Sequence, residues 1–465
     1  MAPSDHIPRR SLHSPDIFFM VVAAAAPLAA VVGNGALGTL LGNGAGMPGA
    51  YLIAGLVLIL FAIGFVKMSP YVKSGGAFYA YIRQGLGGFA GGAAAYVALL
   101  VYLVMVVGSV AGMGFFCNIF LAEVFGLDVS WKLISILCLI VTGVVGYREI
   151  TLGARLLAIL LSLEIVVLLV LALAVFSPGS GAEVSLTSFS PATVFSGNFG
   201  VAIMFAFVSF LGFESAAIYS EEARDGTRTV ARALIAAVLF IAIFYAISMW
   251  SVVSAFGPDK VAAAAAENPG TLVYRAFGLF TPGIFVMLAE ALMVTSALAA
   301  TIALHNAAAR YVLALSRERM LPAGLGRLHD RMGSPHLASL TVSVITGLIV
   351  LGFILGDADP LMTVLSASFG LAALGIAILQ AVTSAAVMTF FLRRGRDTGQ
   401  KPLDLAIASV ATLCLAAIAV LILSNYAVLT GSLGLLDYAP WLIPLAAVLG
   451  ALLHGPGRRD TGEAR

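Results

Sequence analysis

The stretch FAFVSFLGFESAAIYSEEARD, residues 205–225, begins like a membrane segment, reaches Gly212 and then carries Glu214 into apolar surroundings. Hydrocarbon penalises a charged side chain, and it penalises backbone groups that have lost their hydrogen bonds. A carboxylate beside a glycine in such a segment therefore indicates a helix that is interrupted within the membrane and faces the interior of a helical bundle.

The whole chain has the composition of an integral membrane protein. Of its 465 residues 61% are hydrophobic and 10% are charged, and the mean hydropathy is +1.04. This charge is too small to cover a water-soluble surface. Counting apolar runs near the roughly 20 residues that a spanning helix needs predicts about twelve spans. They lie near 16–41, 49–68, 90–118, 130–147, 152–176, 197–222, 230–256, 282–314, 338–355, 361–392, 403–425 and 437–454.

Lysine and arginine placement predicts the orientation. With a cytoplasmic N-terminus, 22 of these residues fall on the cytoplasmic side and 3 on the outer side. Cytoplasmic segments of membrane proteins carry the excess of Lys and Arg. The count therefore predicts an even number of spans, both termini in the cytoplasm, and a multi-pass protein of the cell membrane surrounded by lipid bilayer.

The first predicted span is interrupted too, in addition to the span that contains Gly212. The first span contains AAAAPLAAVVGNGALG, residues 23–38, in which Pro27 precedes three glycines, Gly33, Gly35 and Gly38. Corresponding breaks in two halves of a chain point to a transporter's binding site. We therefore divide the chain into five parts: a cytoplasmic tail 1–15, a first five-helix repeat 16–176, a second repeat 197–392, two further helices within 403–454, and a cytoplasmic tail 455–465.

Three stretches, in this order, resemble the amino acid–polyamine–organocation permeases. They are PYVKSGGAFYAYIRQGLGG (70–88), FVSFLGFESAAIYSEEARDGTRTVARAL (207–234) and LHNAAARYVLALSRERMLPAGLGRLHDRMGSPHLASL (304–340). The chain departs from the family where Gly226 replaces the usual proline and where AAAAPL stands near the place of a Gly-Ser-Gly break. The resemblance implies an all-α membrane protein with the LeuT-like 5+5 inverted repeat, two additional C-terminal helices, and discontinuous helices 1 and 6.

An interrupted helix exposes amides on one half and carbonyls on the other, and these groups suit the carboxylate and ammonium of an amino acid. The resemblance places the ammonium at the carbonyls of 208–211 and the carboxylate at the amides of 27–29; Pro27, which lacks an amide, shapes the break. The first break is expected within 24–29, with the glycines of 33–38 as the alternative. The residues expected to bind substrate are Ala25, Ala26, Pro27, Leu28, Ala29, Val208, Ser209, Phe210, Leu211 and Gly212.

Aromatic and acidic residues around the breaks are candidate gates. Phe207 and Phe213 flank the second break, and Tyr96 and Tyr102 are expected to close the site from the third span. Ordinary packing remains the alternative for each phenylalanine. For Glu214 two compatible interpretations stay open, a gate or ammonium partner and a cap on the second half-helix.

Two further acids lie inside the membrane and are candidates for ion coupling. Glu164 stands where the resemblance places a lysine that replaces sodium in some proton-coupled relatives, so it is expected to bind a cation or to carry a proton itself. Glu290 is followed by Thr295 and Ser296, hydroxyls that resemble sodium ligands. The alternatives are a structural role for Glu164 and hydroxyls that bond to carbonyls of their own helix.

These residues predict a secondary transporter that imports amino acids or related amines by proton symport, with sodium as the alternative coupling ion. Obligate exchange is the nearest alternative mechanism, and a membrane sensor or channel is the alternative of another class. Catalytic, metal-site and nucleotide-binding motifs are absent from the sequence. We therefore expect neither an enzyme, a cofactor nor a nucleic-acid partner, and both monomer and homodimer remain open.

Overall fold

The computed structural model describes residues 14–72, 77–148, 154–213, 227–394, 402–431 and 434–454. Within these ranges the regular secondary structure is helical throughout. The predicted gate residue Glu214 lies outside the described residues.

Seventeen helices are labelled here in chain order among the described residues. They are α1 (Ser14–Ala24), α2 (which begins with Pro27–Ala29), α3 (Met47–Met68), α4 (Ala77–Leu86), α5 (Gly88–Phe125), α6 (Trp131–Arg148), α7 (Ala154–Phe176), α8 (Phe199–Val208), α9 (Thr227–Phe256), α10 (Val261–Glu267), α11 (Leu272–Phe280), α12 (Gly283–Arg317), α13 (His336–Leu355), α14 (Ser366–Arg394), α15 (Pro402–Ser424), α16 (Tyr426–Thr430) and α17 (Leu442–His454). Short helical turns lie at Gly44–Gly46, Ser69–Tyr71, Leu186–Phe189, Pro191–Val194, Pro269–Thr271, Ala323–Gly326, Pro360–Leu365 and Gly434–Trp441.

Helix α2 is wider than an ordinary α-helix over much of its length. After its first turn it continues through π-helical turns at Ala30–Gly35 and Thr39–Asn43, which flank the α-helical turn Ala36–Gly38. It ends where Gly42 leaves helical geometry (φ −106°, ψ −114°) and Gly44 takes a positive φ of 55°. This bend reverses the chain into α3, and π-helical turns of this kind are frequent at functional sites.

Ten helices of the described residues are long and apolar enough to cross a membrane. The first of the ten, Pro27–Tyr71, comprises α2, the bend at Gly42 and α3, whereas α8 is a shorter apolar helix. This helical architecture with several long apolar helices is that of a multi-pass membrane protein, as the sequence predicts. Side chains on the outside of the bundle fit this environment, since Leu355, Leu413 and Leu452 are at least 70% exposed.

The interior of the bundle is formed mainly by α2, α3, α5, α8, α9, α12 and α14. Helix α9 packs along α3, and α5 packs against α12 and α14. Helices α2 and α8 approach each other closely at Gly42. A Cβ atom placed on this glycine would lie 2.8 Å from the Cβ of Ala202 in α8. Glycine at 42 thus lets the backbones of α2 and α8 come into contact.

Charged side chains pair at both ends of the bundle. At the end where α12 finishes, Lys67 pairs with Asp404, and Arg83 lies 3.4 Å from Glu318. At the end where α12 starts, Lys132 lies 2.6 Å from Asp357, and it lowers the pKa of that exposed carboxyl below its ordinary value. We call the first of these ends the basic end, because Arg310 and Arg317 belong to the last turns of α12 and Arg319 follows them. The other end is called the opposite end.

Candidate functional site

The first break separates α1 from α2 by two residues. Helix α1 ends at Ala24, and α2 begins at Pro27. Proline disfavours helical geometry in the residue before it, and Ala26 takes a left-handed conformation with φ 45° and ψ 71°. Such a conformation costs a residue with a Cβ atom about 1–2 kcal/mol. The surrounding structure must therefore hold Ala26 in place.

Side chains from two other helices satisfy the backbone on both sides of this break. The Tyr245 hydroxyl of α9 donates to the Ala25 carbonyl at 2.9 Å. On the other side, the Glu164 carboxylate of α7 accepts from the Leu28 amide at 3.2 Å. The Ser296 side chain of α12 also faces this carboxylate. A hydroxyl donor thus caps the free carbonyl, and an acid caps the free amide at the positive end of α2.

The second break follows α8 and is satisfied mostly by its own backbone. Helix α8 ends at Val208, and tight turns continue to residue 213. The Phe210 amide donates to the Phe207 carbonyl at 3.1 Å, and the Leu211 amide donates to the Val208 carbonyl at 3.0 Å. Gly212 has a φ of 100°, a backbone conformation that favours glycine. A glycine therefore permits the turn that a proline and a strained alanine produce at the first break.

A polar contact joins α2 to the second break. The Asn34 side-chain amide of α2 donates to the Ser209 hydroxyl at 3.2 Å, and Ser209 in turn donates to the Phe205 carbonyl at 2.8 Å. The Tyr51 hydroxyl of α3 donates to the Ala30 carbonyl at 3.0 Å and lies 3.3 Å from the Ser209 hydroxyl. Helices α2 and α3 and the second break therefore share one hydrogen-bonded network in the centre of the bundle.

A cavity of about 730 Å³ opens onto both breaks. Its remaining walls come from α5, α12 and α14, together with Tyr79 of α4. Along α12 the lining runs from Met293 to Ala314, a rise of roughly 30 Å at 1.5 Å per residue. The cavity therefore extends from the breaks toward the basic end.

The cavity wall is largely apolar. Its larger apolar side chains are Met105, Met113, Phe116, Val208, Leu211, Met293, Leu304, Leu365, Phe369 and Ile376. Among the described lining residues the sole charged side chain is that of Arg310, and the uncharged polar groups come from Asn34, Ser109, Ser209, Asn306 and the tyrosines Tyr79, Tyr102 and Tyr311. An apolar wall with a few converging polar groups is the usual character of a small-molecule site.

Most of the residues expected to bind substrate lie at this cavity. Those in its lining are Ala25, Ala26, Ala29, Val208, Ser209, Leu211 and Gly212. Pro27, Leu28 and Phe210 are buried behind the lining, where Leu28 meets Glu164 and the Phe210 ring packs on Tyr245 at 5.8 Å between centroids. The first interruption lies at residues 25–26, whereas the glycines at 33, 35 and 38 belong to helical turns.

The candidate gate residues are dispersed. Phe207 and Phe213 lie in the packed core, and the Phe213 ring meets Phe61 at 6.1 Å. Tyr102 does line the cavity, with its ring 5.0 Å from that of Tyr311. Tyr96 lies outside the lining, and its hydroxyl donates to the Met320 carbonyl at 2.5 Å.

The four candidate coupling residues divide into two groups. Glu164 and Ser296 meet directly beside the first break. The Thr295 hydroxyl bonds back to the Leu292 carbonyl at 2.9 Å, which is the structural alternative for a hydroxyl in a membrane helix. Glu290 is buried in α12 near Tyr274, two turns nearer the opposite end than Ser296.

Tyrosines also surround the cavity near the basic end. The Tyr79 hydroxyl donates to Glu318 at 3.1 Å, and Glu318 also accepts from Arg83 at 3.4 Å. Burial and the Glu318 carboxylate raise the pKa of Tyr79 to about 12. Tyr79 therefore stays protonated as a donor at neutral pH and ties the short helix α4 to the end of α12.

Sequence reasoning missed the three side chains that organise the breaks, Asn34, Tyr51 and Tyr245. Asn34 stands between two glycines of the quoted motif, and each tyrosine is a hydroxyl-bearing residue in an otherwise apolar helix. That polarity is a signal, but tyrosines commonly pack in membrane helices and at their ends. Their partners lie 21 and 220 positions away for the tyrosines, and 175 for Asn34.

Comparison with known proteins gives a consistent result. The family profile described as amino acid permease matches residues 14–450. An uncharacterized transporter of Mycobacterium tuberculosis is 25% identical over 383 residues, which cover 82% of this chain and 79% of the relative. The branched-chain amino acid permease BcaP of Lactococcus lactis is 25% identical over 305 residues, covering 62% and 64%. The chloroplastic cationic amino acid transporter 7 of Arabidopsis thaliana is 23% identical over 340 residues, covering 65% and 54%.

The match extends over nearly the whole chain, including both breaks and the helices that line the cavity. Members of this family are transporters and not enzymes, and the apolar helices place the chain in a membrane as a multi-pass protein. The chain belongs to the amino acid permease family.

Proposed function

We propose that this permease is a secondary transporter that imports amino acids with apolar side chains by proton symport. The observation that carries the proposal is the cavity, which joins two helix interruptions to a largely apolar wall. Backbone groups at the interruptions suit the charged head of an amino acid. The methionine, leucine and phenylalanine side chains of the wall suit an apolar substrate side chain.

The wall favours neutral over cationic substrates. Its described lining residues are largely apolar and include no acid, so a cationic side chain would lose its hydration there without gaining a counter-charge. One relative is named for branched-chain amino acids and another for cationic amino acids. Because the wall is largely apolar, we propose that this chain transports apolar amino acids such as the branched-chain ones, and not cationic amino acids or polyamines.

The twelve-span, inverted-repeat architecture is part of this proposal. Helices α1 and α8 have 11 and 10 residues, so each is about 15 Å long, half the thickness of the hydrocarbon core. Each begins one of the repeats proposed for 16–176 and 197–392, and each is followed by a break. Counting α2 and α3 as separate crossings, and α8 as half of another, extends the ten long helices to twelve, with 403–454 outside the repeats and cytoplasmic tails at 1–15 and 455–465.

The proposed orientation places the basic end in the cytoplasm, because Lys and Arg accumulate on that side. Since the cavity extends toward the basic end, the structure corresponds to an inward-facing state of an alternating-access cycle. The substrate would leave along α12, past Tyr102 and Arg310.

Glu164 is proposed as the proton-coupling group. Its carboxylate accepts from the Leu28 amide at the start of α2 and faces Ser296 of α12. A protonated carboxyl is a weaker acceptor than a carboxylate, so protonation loosens the bond to α2. Proton binding at Glu164 and movement of α2 relative to α12 are thereby coupled, and the coupling is reciprocal.

The test is uptake of labelled leucine into proteoliposomes with and without an imposed pH gradient. Wild-type protein is expected to accumulate leucine when the outside is acidic, and a sodium gradient alone should not replace the pH gradient. Glu164→Gln is expected to lower gradient-driven uptake by about tenfold or more, and to lower leucine–leucine exchange much less, because a fixed neutral group removes coupling before it removes binding. The exposed Glu183→Gln is the matched control and should behave as wild type.

Each other outcome has a definite meaning. Uptake that needs leucine preloaded inside the vesicles would make the protein an obligate exchanger. Equal loss of exchange and gradient-driven uptake in Glu164→Gln would remove Glu164 from coupling, and full retention of both would assign it to packing. Binding without any movement of leucine would make the protein a sensor.

A further inference from the structure

Tyr245 occupies an unusual place relative to the cavity. It is completely buried and lies outside the cavity lining, yet its hydroxyl donates at 2.9 Å to the carbonyl of Ala25, which does line the cavity. Its ring meets the buried Tyr51 ring at 5.3 Å in a T-shaped contact, a favourable aromatic geometry. Tyr245 therefore contacts the first break from behind.

The consequence follows from the shape of one peptide unit. The Ala25 carbonyl and the Ala26 amide belong to the same planar unit, and the peptide bonds of the described residues are trans. In a trans peptide the C=O and N–H bonds point in opposite directions. Because Tyr245 holds the carbonyl on the side away from the cavity, the Ala26 amide is directed to the cavity side, where Ala26 itself lines the wall.

A second effect acts in the same direction. The Ala25 carbonyl carries partial negative charge at the C-terminal end of α1. Uncapped, it would repel a carboxylate bound to the neighbouring amides at the start of α2. A hydroxyl donor on this carbonyl compensates its charge, so the break presents a net donor surface to an anion.

We propose that Tyr245 is a positioning residue for substrate carboxylate recognition, and that it aims the Ala26 amide at that carboxylate. The inference rests on the proposed function, since it concerns how the same site takes the head group of an amino acid. Tyr245 does not touch the substrate. It acts by fixing the Ala25–Ala26 peptide in a conformation that Ala26, with φ 45°, does not favour by itself.

The test compares leucine with 3-methylbutylamine, its decarboxylated amine, using equilibrium binding to purified protein. Tyr245→Phe removes one hydroxyl and keeps the ring contacts. Leucine binding is expected to weaken at least about tenfold, as befits loss of a hydrogen bond to a charged group, whereas the dissociation constant of the amine should stay within about twofold. The ratio of the two constants does not depend on the fraction of protein that is folded.

Two further variants separate positioning from a structural role. Tyr426→Phe is the matched control, because the buried Tyr426 hydroxyl likewise donates to a backbone carbonyl, that of Ala367 at 3.0 Å, and it should leave the ratio unchanged. Tyr51→Phe removes the bond to the Ala30 carbonyl, whose peptide lies within α2, and the contact with Ser209; it is therefore expected to weaken leucine and amine binding together and to leave their ratio unchanged.

A parallel loss of leucine and amine binding in Tyr245→Phe, or an unchanged ratio, would overturn the inference while leaving the proposed function intact. The same change of ratio in Tyr51→Phe or Tyr426→Phe would also overturn it, because any lost tyrosine bond would then suffice. Wild-type protein that binds neither leucine nor any other zwitterionic amino acid would contradict the proposed function and the inference together.

Discussion

The two helix interruptions reach a similar geometry by opposite means. At the first, Pro27 and a strained Ala26 break the helix within two residues, and side chains of α7 and α9 cap the exposed backbone. At the second, Gly212 permits a series of tight turns whose amides bond to carbonyls three positions earlier. The first break is thus held by distant parts of the chain, whereas the described part of the second, up to residue 213, is held mainly by its own turns with added contacts from Asn34 and Tyr51 to Ser209.

This difference determines which substitutions should matter. A break satisfied by local turns depends on the residue that permits the turn, because its hydrogen bonds form wherever the backbone can adopt the conformation. A break satisfied by distant side chains depends on the partners, and it can respond to movements of the helices that carry them. Glu164, which we propose as the coupling residue, contacts the first break, the break that the tertiary structure controls.

The largest expected effect is at the second break. Gly212→Val places a β-branched side chain at φ 100°, where non-glycine residues are strongly disfavoured. We expect leucine binding to fall by more than about tenfold, consistent with a strain of about 1–3 kcal/mol, with the dissociation constant of purified protein as the measurement. The control is Gly347→Val in α13, where an added Cβ atom meets nothing within 4 Å; a similar loss in both variants would contradict the local account.

An intermediate and asymmetric effect is expected at the first break. Ala26→Gly relieves a left-handed alanine, so it should keep leucine binding within a few-fold and raise the free energy of unfolding by up to about 1 kcal/mol. Ala26→Val should instead lower both, because a branched side chain is less tolerated at positive φ. Thermal unfolding and binding of both variants provide the measurement, and equal behaviour of glycine and valine would show that Ala26 is not strained.

The smallest effect concerns the hydrogen bond that links α2 to the second break. Asn34→Ala and Ser209→Ala each remove one side of the 3.2 Å hydrogen bond. A double-mutant cycle on leucine binding should give a coupling energy of about 0.5–1.5 kcal/mol, the usual net value of a hydrogen bond. Additive effects of the two substitutions would mean that the hydrogen bond between α2 and the second break does not contribute to substrate binding.

Much of the architecture was accessible from single stretches of sequence. Long apolar runs require a membrane, because too few charges remain to cover a soluble surface. Gly212 and Pro27 mark the two interruptions, since each residue has a direct local effect on the backbone. Family membership was predicted from three ordered motifs and is confirmed by the match over residues 14–450.

The site itself was only partly accessible. The resemblance to the permease family predicted that the alanines before Pro27 and the residues after Phe207 lie at one site. Seven of the ten predicted binding residues do line the cavity. Phe207 and Phe213 were candidate gates because they flank the second break, but Phe207 in α8 and Phe213 in the turns after it are both buried in the core. Which face of a short half-helix meets a cavity depends on its neighbours, and an apolar sequence on all faces carries no signal of it.

By itself, then, the sequence determined that this chain is a helical membrane permease with backbone interruptions in two spans, because hydrophobicity and the conformational limits of glycine and proline act over a few residues. The tertiary structure alone decided that Glu164 caps Leu28, that Tyr245 caps Ala25, and that Asn34 reaches Ser209. The physical reason is that an exposed carbonyl or amide inside a bundle must find a partner, while its identity depends on which helices pack beside the break.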